Sequence, residues 1–445
     1  MAKEKITYSC NQCEYQSVKW FGCCPSCRQW DSLDEITTAP LSSQKNSGLP
    51  VLTSLAHVDM QKSTRMKAGI SEWDRVCGGG LVPGSFIMLT GDPGIGKSTL
   101  LLQLAAHFAN SYRVFYFSSE ESLEQVKQRA ARLKCIHEKV LFSDQAFLDD
   151  IILVAQKEKP DLLIIDSIQN CYTSETTLVP GSMNQLKEST YRLMRLAKEH
   201  DITIILSGHI TKDGTMAGPK TLEHMVDTVL YLQGEDRWQT RILRSVKNRF
   251  GNINELGFFE MQENGLQEMP NINEHLLQSI SNSPGSVLIS YIEGTRPLLL
   301  ELQVLTVNAQ YGMPQRVISG IDHTQVVLIA AILEKYLNIK LTTCDIFFKV
   351  SGGFKIKGSN ADLGIALALL SSFFQQALPE KCIALGELSL TGHIKPINQM
   401  GLHISEAEKF GMQHIFLAHH QRLSATSCKV KKLEHVHELL SLFTL

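Results

Sequence analysis

Two C-x2-C pairs, Cys10/Cys13 and Cys24/Cys27, flank a short stretch that holds Trp20 and Gly22. Such a turn aims two thiolates at one point, so two of them fill a tetrahedral four-sulfur shell suited to Zn2+. Four protein ligands close that shell, which makes the expected metal structural. Cys23 adjoins Cys24 and could take its place, but only Cys24 keeps the two-residue spacing to Cys27. A segment of about 30 residues cannot build a core, so metal binding must supply its folding free energy. The chain starts MAKEKITYSC, without the apolar core of a signal peptide. A reducing, cytoplasmic setting is therefore expected, where clustered cysteines mean metal rather than disulfides.

A second constellation reads as a nucleotide site. Gly91-Asp92-Pro93-Gly94-Ile95-Gly96-Lys97-Ser98 fits G-x-x-x-x-G-K-[ST] in full, with Thr99 next. Glycines let backbone N–H groups wrap phosphate oxygens at a helix N-terminus, where the helix dipole favours anions. Lys97 is placed to neutralise the β- and γ-phosphates and Ser98 to ligate Mg2+. Asp166, at the end of the apolar run Leu162–Ile165, is expected to hold that ion through water. Glu120, after the run Arg113–Phe117, is the expected base that polarises the attacking water, with Glu121 as the alternative. Both acids could instead only stabilise the start of a helix over 120–134. Lys247 and Arg249 follow a probable strand at Thr240–Val246. They could reach a phosphate, of DNA or of a neighbouring subunit's nucleotide, or stand in a solvated turn.

These residues need elements to hold them. Phe86–Thr90 reads as a strand and Ser98–Asn110 as the helix after it. The short apolar runs Arg113–Phe117, Leu162–Ile165, Ile202–Leu206 and Val229–Leu232 continue an alternating pattern. The pattern predicts an α/β fold, a doubly wound sheet with helices on both faces. Gly208–Lys220 is Gly-rich, polar and aperiodic, a loop that could touch phosphate backbones or be plain surface. Thr37–Gly48 has the composition of a linker.

At 445 residues the chain exceeds one core, and ~150 residues per domain gives about three. Hydrophobic content of 43% and charged content of 20% exclude wholesale disorder. A net charge of −2 excludes general basic character but not a local basic patch. The most apolar run, Ala361–Phe374, is broken by Asp362 and shorter than the ~18–20 residues a membrane span needs, so no membrane association is expected.

Six segments together resemble the RadA (Sms) family of bacterial DNA repair proteins, in order and over essentially the whole chain. They are the cysteine pairs, Gly78-Gly-Gly-Leu-Val-Pro-Gly84, Gly91-Asp-Pro-Gly-Ile-Gly-Lys-Ser-Thr99, Ser119-Glu-Glu-Ser122, Gly208-His-Ile-Thr-Lys212 and Lys247-Asn-Arg-Phe-Gly251. The last pentapeptide is that family's signature. One departure is Glu14, where the family usually has glycine. The resemblance implies a four-cysteine zinc finger over 1–36, a linker over 37–60, a RecA-like P-loop ATPase core over 61–270 and a Lon-protease-like α+β domain over 271–445. It implies ATP as the nucleotide, since a P-loop reads phosphates and no base. It also implies a homo-hexameric ring that moves on single-stranded DNA and drives branch migration at branched recombination intermediates, working with the RecA recombinase. Lys247 and Arg249 then match cations near the subunit interface, where they would act on a neighbour's γ-phosphate as arginine fingers do. The 208–220 loop matches a region that faces DNA.

Residues 352–357, 358–365 and 386–392 look like the Lon-type fold, which raises an ATP-dependent Lon-like serine protease as the alternative function. An unassisted serine hydroxyl is scarcely nucleophilic, so such proteases need a lysine base. Aligned on the -Ala361-Asp-Leu-Gly-Ile365- run, the nucleophile position holds Asn360, and Pro396–Gly401 has no lysine where the base belongs. A shifted dyad of Ser359 with Lys395 or Lys409 is conceivable. The expectation is an inactive peptidase fold that supports ring assembly and adds basic surface through Lys355, Lys357, Lys429, Lys431 and Lys432.

Overall fold

The computed structural model describes residues 5–13, 15–38, 64–174, 182–209, 222–234, 239–253, 255–278, 280–309, 313–423 and 425–443. The expected linker falls mostly outside these residues, as does the 208–220 loop beyond His209. Glu14 also lies outside them. The chain divides into two units, one of residues 1–234 with 241–268 and the other of 235–240 with 269–445.

In the first unit, β1 (Lys5–Cys10), β2 (Gln16–Ser17) and β3 (Leu33–Thr38) form a small antiparallel sheet in the order β2-β1-β3. Its apolar centre is Cys10, Cys24 and Leu33, too little to fold without a metal.

The large sheet of this unit is built from strands buried on both faces. β4 (Phe86–Gly91) sends Phe86 and Met88 into one apolar layer, and Ile87 and Leu89 into the other. This period-two alternation, apolar on each side, is what a sheet covered by helices on both faces requires. The first helix is α1 (Ser71–Val76), and α2 (Lys97–Ala109) follows β4. Next come β5 (Val114–Ser118), α3 (Leu123–Arg132), β6 (Val140–Ser143), α4 (Leu148–Glu158) and β7 (Leu162–Asp166). α5 (Met183–His200), β8 (Thr203–His209) and β9 (Thr228–Gly234) complete the parallel part. β10 (Thr240–Asn248), β11 (Leu256–Gln262) and β12 (Gly265–Glu268) extend it to nine strands, in the order β12-β11-β10-β9-β4-β8-β7-β5-β6. β10 runs antiparallel to β9, which is parallel to β4. The doubly wound core is as the sequence reads.

Helix α3 starts later than the sequence pattern predicts. Ser122 caps it, accepting from the Gln125 backbone N–H while the Gln125 side chain accepts from Ser122. That capping box leaves Glu120 and Glu121 outside the helix.

The second unit holds α6 (Ile272–Leu277), β13 (Ser286–Glu293), β14 (Arg296–Asn308), β15 (Arg316–Ser319), α7 (His323–Leu337) and β16 (Cys344–Val350). α8 (Asp362–Phe374), β17 (Cys382–Leu385), the pair β18 (Glu387–Leu388) and β19 (Ile394–Lys395), α9 (Met400–Lys409), β20 (His414–Ala418) and β21 (Lys429–Leu433) follow. Its mixed seven-stranded sheet has the order β15-β16-β14-β13-β17-β20-β21. α8 lies close against this sheet because Gly364 has no side chain; a Cβ there would stand 2.2 Å from Ile289 Cγ2.

Candidate nucleotide site and metal centre

The P-loop joins a buried strand to a helix. Gly91, Gly94 and Gly96 have φ of 155°, 74° and 109°. A Cβ at Gly91 would fall 2.2 Å from the Leu232 carbonyl oxygen and one at Gly96 2.6 Å from Met261 Cε. Gly94 has nothing near it, and Pro93 and Gly94 form the exposed tip. The loop is thus pinned on its inner side and open outside, a cradle for an anion at the start of α2. Lys97 is buried, its Nζ donating to the carbonyls of Gly91 at 2.9 Å and Asp92 at 3.0 Å. Burial lowers the pKa of that amine, opposed by the carboxylates of Asp166, Glu120 and Asp92. Ser98 and Thr99 begin α2 behind it. The Ile95 carbonyl accepts from Arg241 Nε at 3.2 Å.

Asp166 ends β7, and both of its oxygens are held. Tyr116 Oη of β5 donates to Oδ2 at 3.0 Å, and Ser207 Oγ of β8 donates to Oδ1 at 2.5 Å. Burial first, then Asp166 itself, push the Tyr116 phenol well above its usual value, so it remains a donor. Neither contact is marked in the sequence, because each arises from strands brought side by side.

The two candidate bases part company here. Glu120 is exposed and accepts from Ser167 Oγ at 2.5 Å, one residue beyond Asp166. Glu121 pairs with Arg129 of α3. Ser167 escaped the sequence reading for want of any motif.

Lys247 and Arg249 lie at the opposite sheet edge from the P-loop. Asn248 pairs with Thr228, which lies beside Ile87 near the start of β4. The P-loop follows the other end of β4, about 13 Å of strand beyond Ile87. Lys247 Nζ donates to the carbonyls of Glu223 at 2.7 Å and Val226 at 2.8 Å. Arg249 is exposed and donates to Asp227 at 3.2 Å. Asp227 also takes Lys198 at 2.6 Å and the Phe86 N–H at 3.0 Å. Arg65 ties this turn to the triple glycine, donating to the carbonyls of Cys77, Gly80 and Phe250. A Cβ at Gly80 would sit 2.7 Å from the Met66 carbonyl oxygen, so this glycine has a structural reason.

The thiols of Cys10, Cys13, Cys24 and Cys27 all lie within 4.8 Å of one another, with Cys10–Cys27 at 3.6 Å and Cys13–Cys24 at 3.5 Å. Tetrahedral zinc with Zn–S near 2.3 Å requires S···S of about 3.8 Å, so the set fits. Cys23 points elsewhere, toward the Cys24 carbonyl, which leaves Cys24 in the shell.

In the second unit no hydrogen bond joins Ser359 to Lys395 or Lys409 among the described residues. Lys409 sits 3.9 Å from Glu406. Lys355, Lys357, Lys429, Lys431 and Lys432 are exposed.

A P-loop strand between β8 and β9, with acids at the ends of β5 and β7, defines a RecA-like ATPase, here in one chain with a four-cysteine zinc ribbon. Three family models match the chain: a rubredoxin metal binding domain over residues 8–35, an AAA domain over 55–215, and the ChlI subunit of Mg-chelatase over 306–421. The chain belongs to the RadA family of DNA repair proteins. It is 41% identical to the DNA repair protein RadA of Halalkalibacterium halodurans over 94% of this chain and 93% of that one. Against RadA of Aquifex aeolicus the identity is 38%, over 99% of both. Among solved structures the RadB recombinase covers 46% of the chain at 21% identity and a TM-score of 0.38, too slight a likeness to build on. Membership makes the chain an ATPase of DNA repair. No described helix is long and apolar enough to cross a membrane.

Proposed function

We propose that the chain is a DNA-dependent ATPase that assembles as a hexameric ring on single-stranded DNA and drives branch migration of recombination intermediates alongside the RecA recombinase. Bound ATP supplies the phosphoryl chemistry. Residues 91–99 cradle its phosphates, Lys97 neutralises the β- and γ-oxygens, and Ser98 and Asp166 hold Mg2+, Asp166 through water. Glu120, steadied by Ser167, orients and polarises the attacking water.

The observation that carries the ring is the position of Lys247 and Arg249. They lie a full strand length from the P-loop of their own chain, so any work on a γ-phosphate is done on a neighbour's. The zinc ribbon, linker, ATPase core and Lon-like domain keep the bounds 1–36, 37–60, 61–270 and 271–445 in this proposal. The Lon-like domain is a scaffold without peptidase activity, since Asn360 cannot attack a carbonyl and Ser359 has no lysine partner among the described residues.

ATP turnover measured with and without single-stranded DNA at low salt tests the reading. Turnover is expected to rise with DNA, to weaken as salt is added, and to vanish in Lys97→Ala. Flat turnover with DNA at low salt would refute it.

A further inference from the structure

The zinc ribbon exposes more aromatic surface than its fold can explain. Its core is three residues, yet Trp20 is 56% exposed, Phe21 40% and Trp30 78%. Indoles left in water forgo the burial that normally holds them, and aromatic clusters on a small module mark a binding surface. Neither indole stacks on another ring among the described residues.

Both rings border Gly22. A Cβ there would lie 3.6 Å from Trp20 Cη2 and 3.8 Å from Trp30 Cζ3, ordinary contact distances. The two ring atoms are therefore at most about 7.4 Å apart, and a flat group resting on the bare glycine reaches the rims of both indoles. Lys19 adjoins Trp20, and Arg28 stands two residues before Trp30; both are exposed and unpaired among the described residues. The rest of the ribbon opposes a purely electrostatic grip. Asp31 is exposed beside Trp30, Asp34 takes Asn11, and the thiolate shell is anionic. A duplex keeps its bases stacked inside. The ligand that matches aromatic rings flanked by single cations is an unpaired base with phosphates on either side.

We propose that Trp20 and Trp30 form a stacking site for a nucleobase of single-stranded nucleic acid, with Lys19 and Arg28 holding the adjacent phosphates. The site lies outside the ATPase core and adds to the motor reading a base-gripping contact in the ribbon.

The test titrates the full chain with a short oligothymidylate and with an abasic strand of equal length and charge, reading tryptophan fluorescence. Oligothymidylate is expected to quench and the abasic strand not to. Trp20→Ala and Trp30→Ala should each weaken oligothymidylate binding about tenfold, and Trp30→Phe should restore most of it. Removing Lys19 or Arg28 should each lower the salt slope by roughly 0.7. Zinc content and DNA-free ATP turnover, unchanged in these variants, show that the ribbon is folded. Equal quenching by the abasic strand overturns the proposal, as do unaltered affinities in both alanine variants. A change of oligomeric state in those variants with binding intact also overturns it and makes the indoles a protein contact. Quenching without DNA-stimulated turnover would instead sink the motor and spare the site.

Discussion

At the scale of single residues, the nucleotide site divides into parts that chemistry writes into sequence and parts it does not. The P-loop is local: its glycines, Lys97 and Ser98 are adjacent because one turn must wrap one phosphate chain, so spacing alone reveals it. Tyr116, Ser207 and Ser167 meet Asp166 or Glu120 only through strand pairing, and no spacing announces that. The choice between Glu120 and Glu121 is of the second kind. Glu121 is engaged by Arg129, and Glu120 stands beside the Asp166 strand end. Glu120→Gln is expected to slow ATP hydrolysis about a hundredfold or more with nucleotide binding kept. Glu121→Gln, which removes one half-exposed ion pair, should leave hydrolysis within a few-fold and cost about 1 kcal/mol or less. Single-turnover hydrolysis and nucleotide titration on both variants check this; the opposite ranking would move the base to Glu121.

At the scale of elements, the parallel strands were legible because burial on both faces makes them short continuous apolar runs. α3 starts at Leu123 rather than at 120 because Ser122 and Gln125 close a capping box that outcompetes the acids before it. β11 and β12 bury their first residues and open up at their last, so neither carries the period of two that marks a half-buried strand. Two buried titratable groups in the second unit give it an unusual pH response. His403 of α9 is fully buried against Ser290, and burial pulls its imidazole down to about 4. Asp362 of α8, held by Gln325 and the Leu388 N–H, is raised by burial to about 6. For His403 the stability is whole above pH 6.5 and lost as pH falls, because only the unfolded chain takes up the proton. For Asp362 the sign reverses: the folded chain binds the proton between about pH 6 and 4, so stability rises on acidification. The two nearly cancel there. His403→Gln should therefore gain stability from pH 6 to 4 relative to the parent, and Asp362→Asn lose it, each by about 2–3 kcal/mol. Hydrogen exchange across β13 and α8 reads the difference; parallel slopes in parent and variants would refute the burial of either charge.

At the scale of the whole molecule, near-neutral charge told little, since a sum of −2 hides where cations stand. The order of motifs said more, because a fixed order along the chain fixes which sheet edge each reaches. Lys247 and Arg249 are the case in point. Strand direction carries them to the edge where β4 begins, and the P-loop lies where it ends. A single protomer therefore has an incomplete site under the proposed mechanism, and hydrolysis becomes a property of the interface. Two dead variants then rescue each other. Lys97→Ala lacks a usable P-loop but retains Arg249, and Arg249→Ala retains the P-loop but lacks the cation. Mixed in equal amounts and allowed to exchange subunits, they form interfaces of which about one quarter pair an intact P-loop with an intact cation, in a head-to-tail ring. DNA-stimulated turnover of the mixture should recover toward a quarter of the parent value, against almost none for either alone. Arg249→Ala that hydrolyses ATP normally, or a mixture as inert as its components, would place the cations outside the reaction and leave Arg249 to its pair with Asp227 and Lys247 to the carbonyls of Glu223 and Val226.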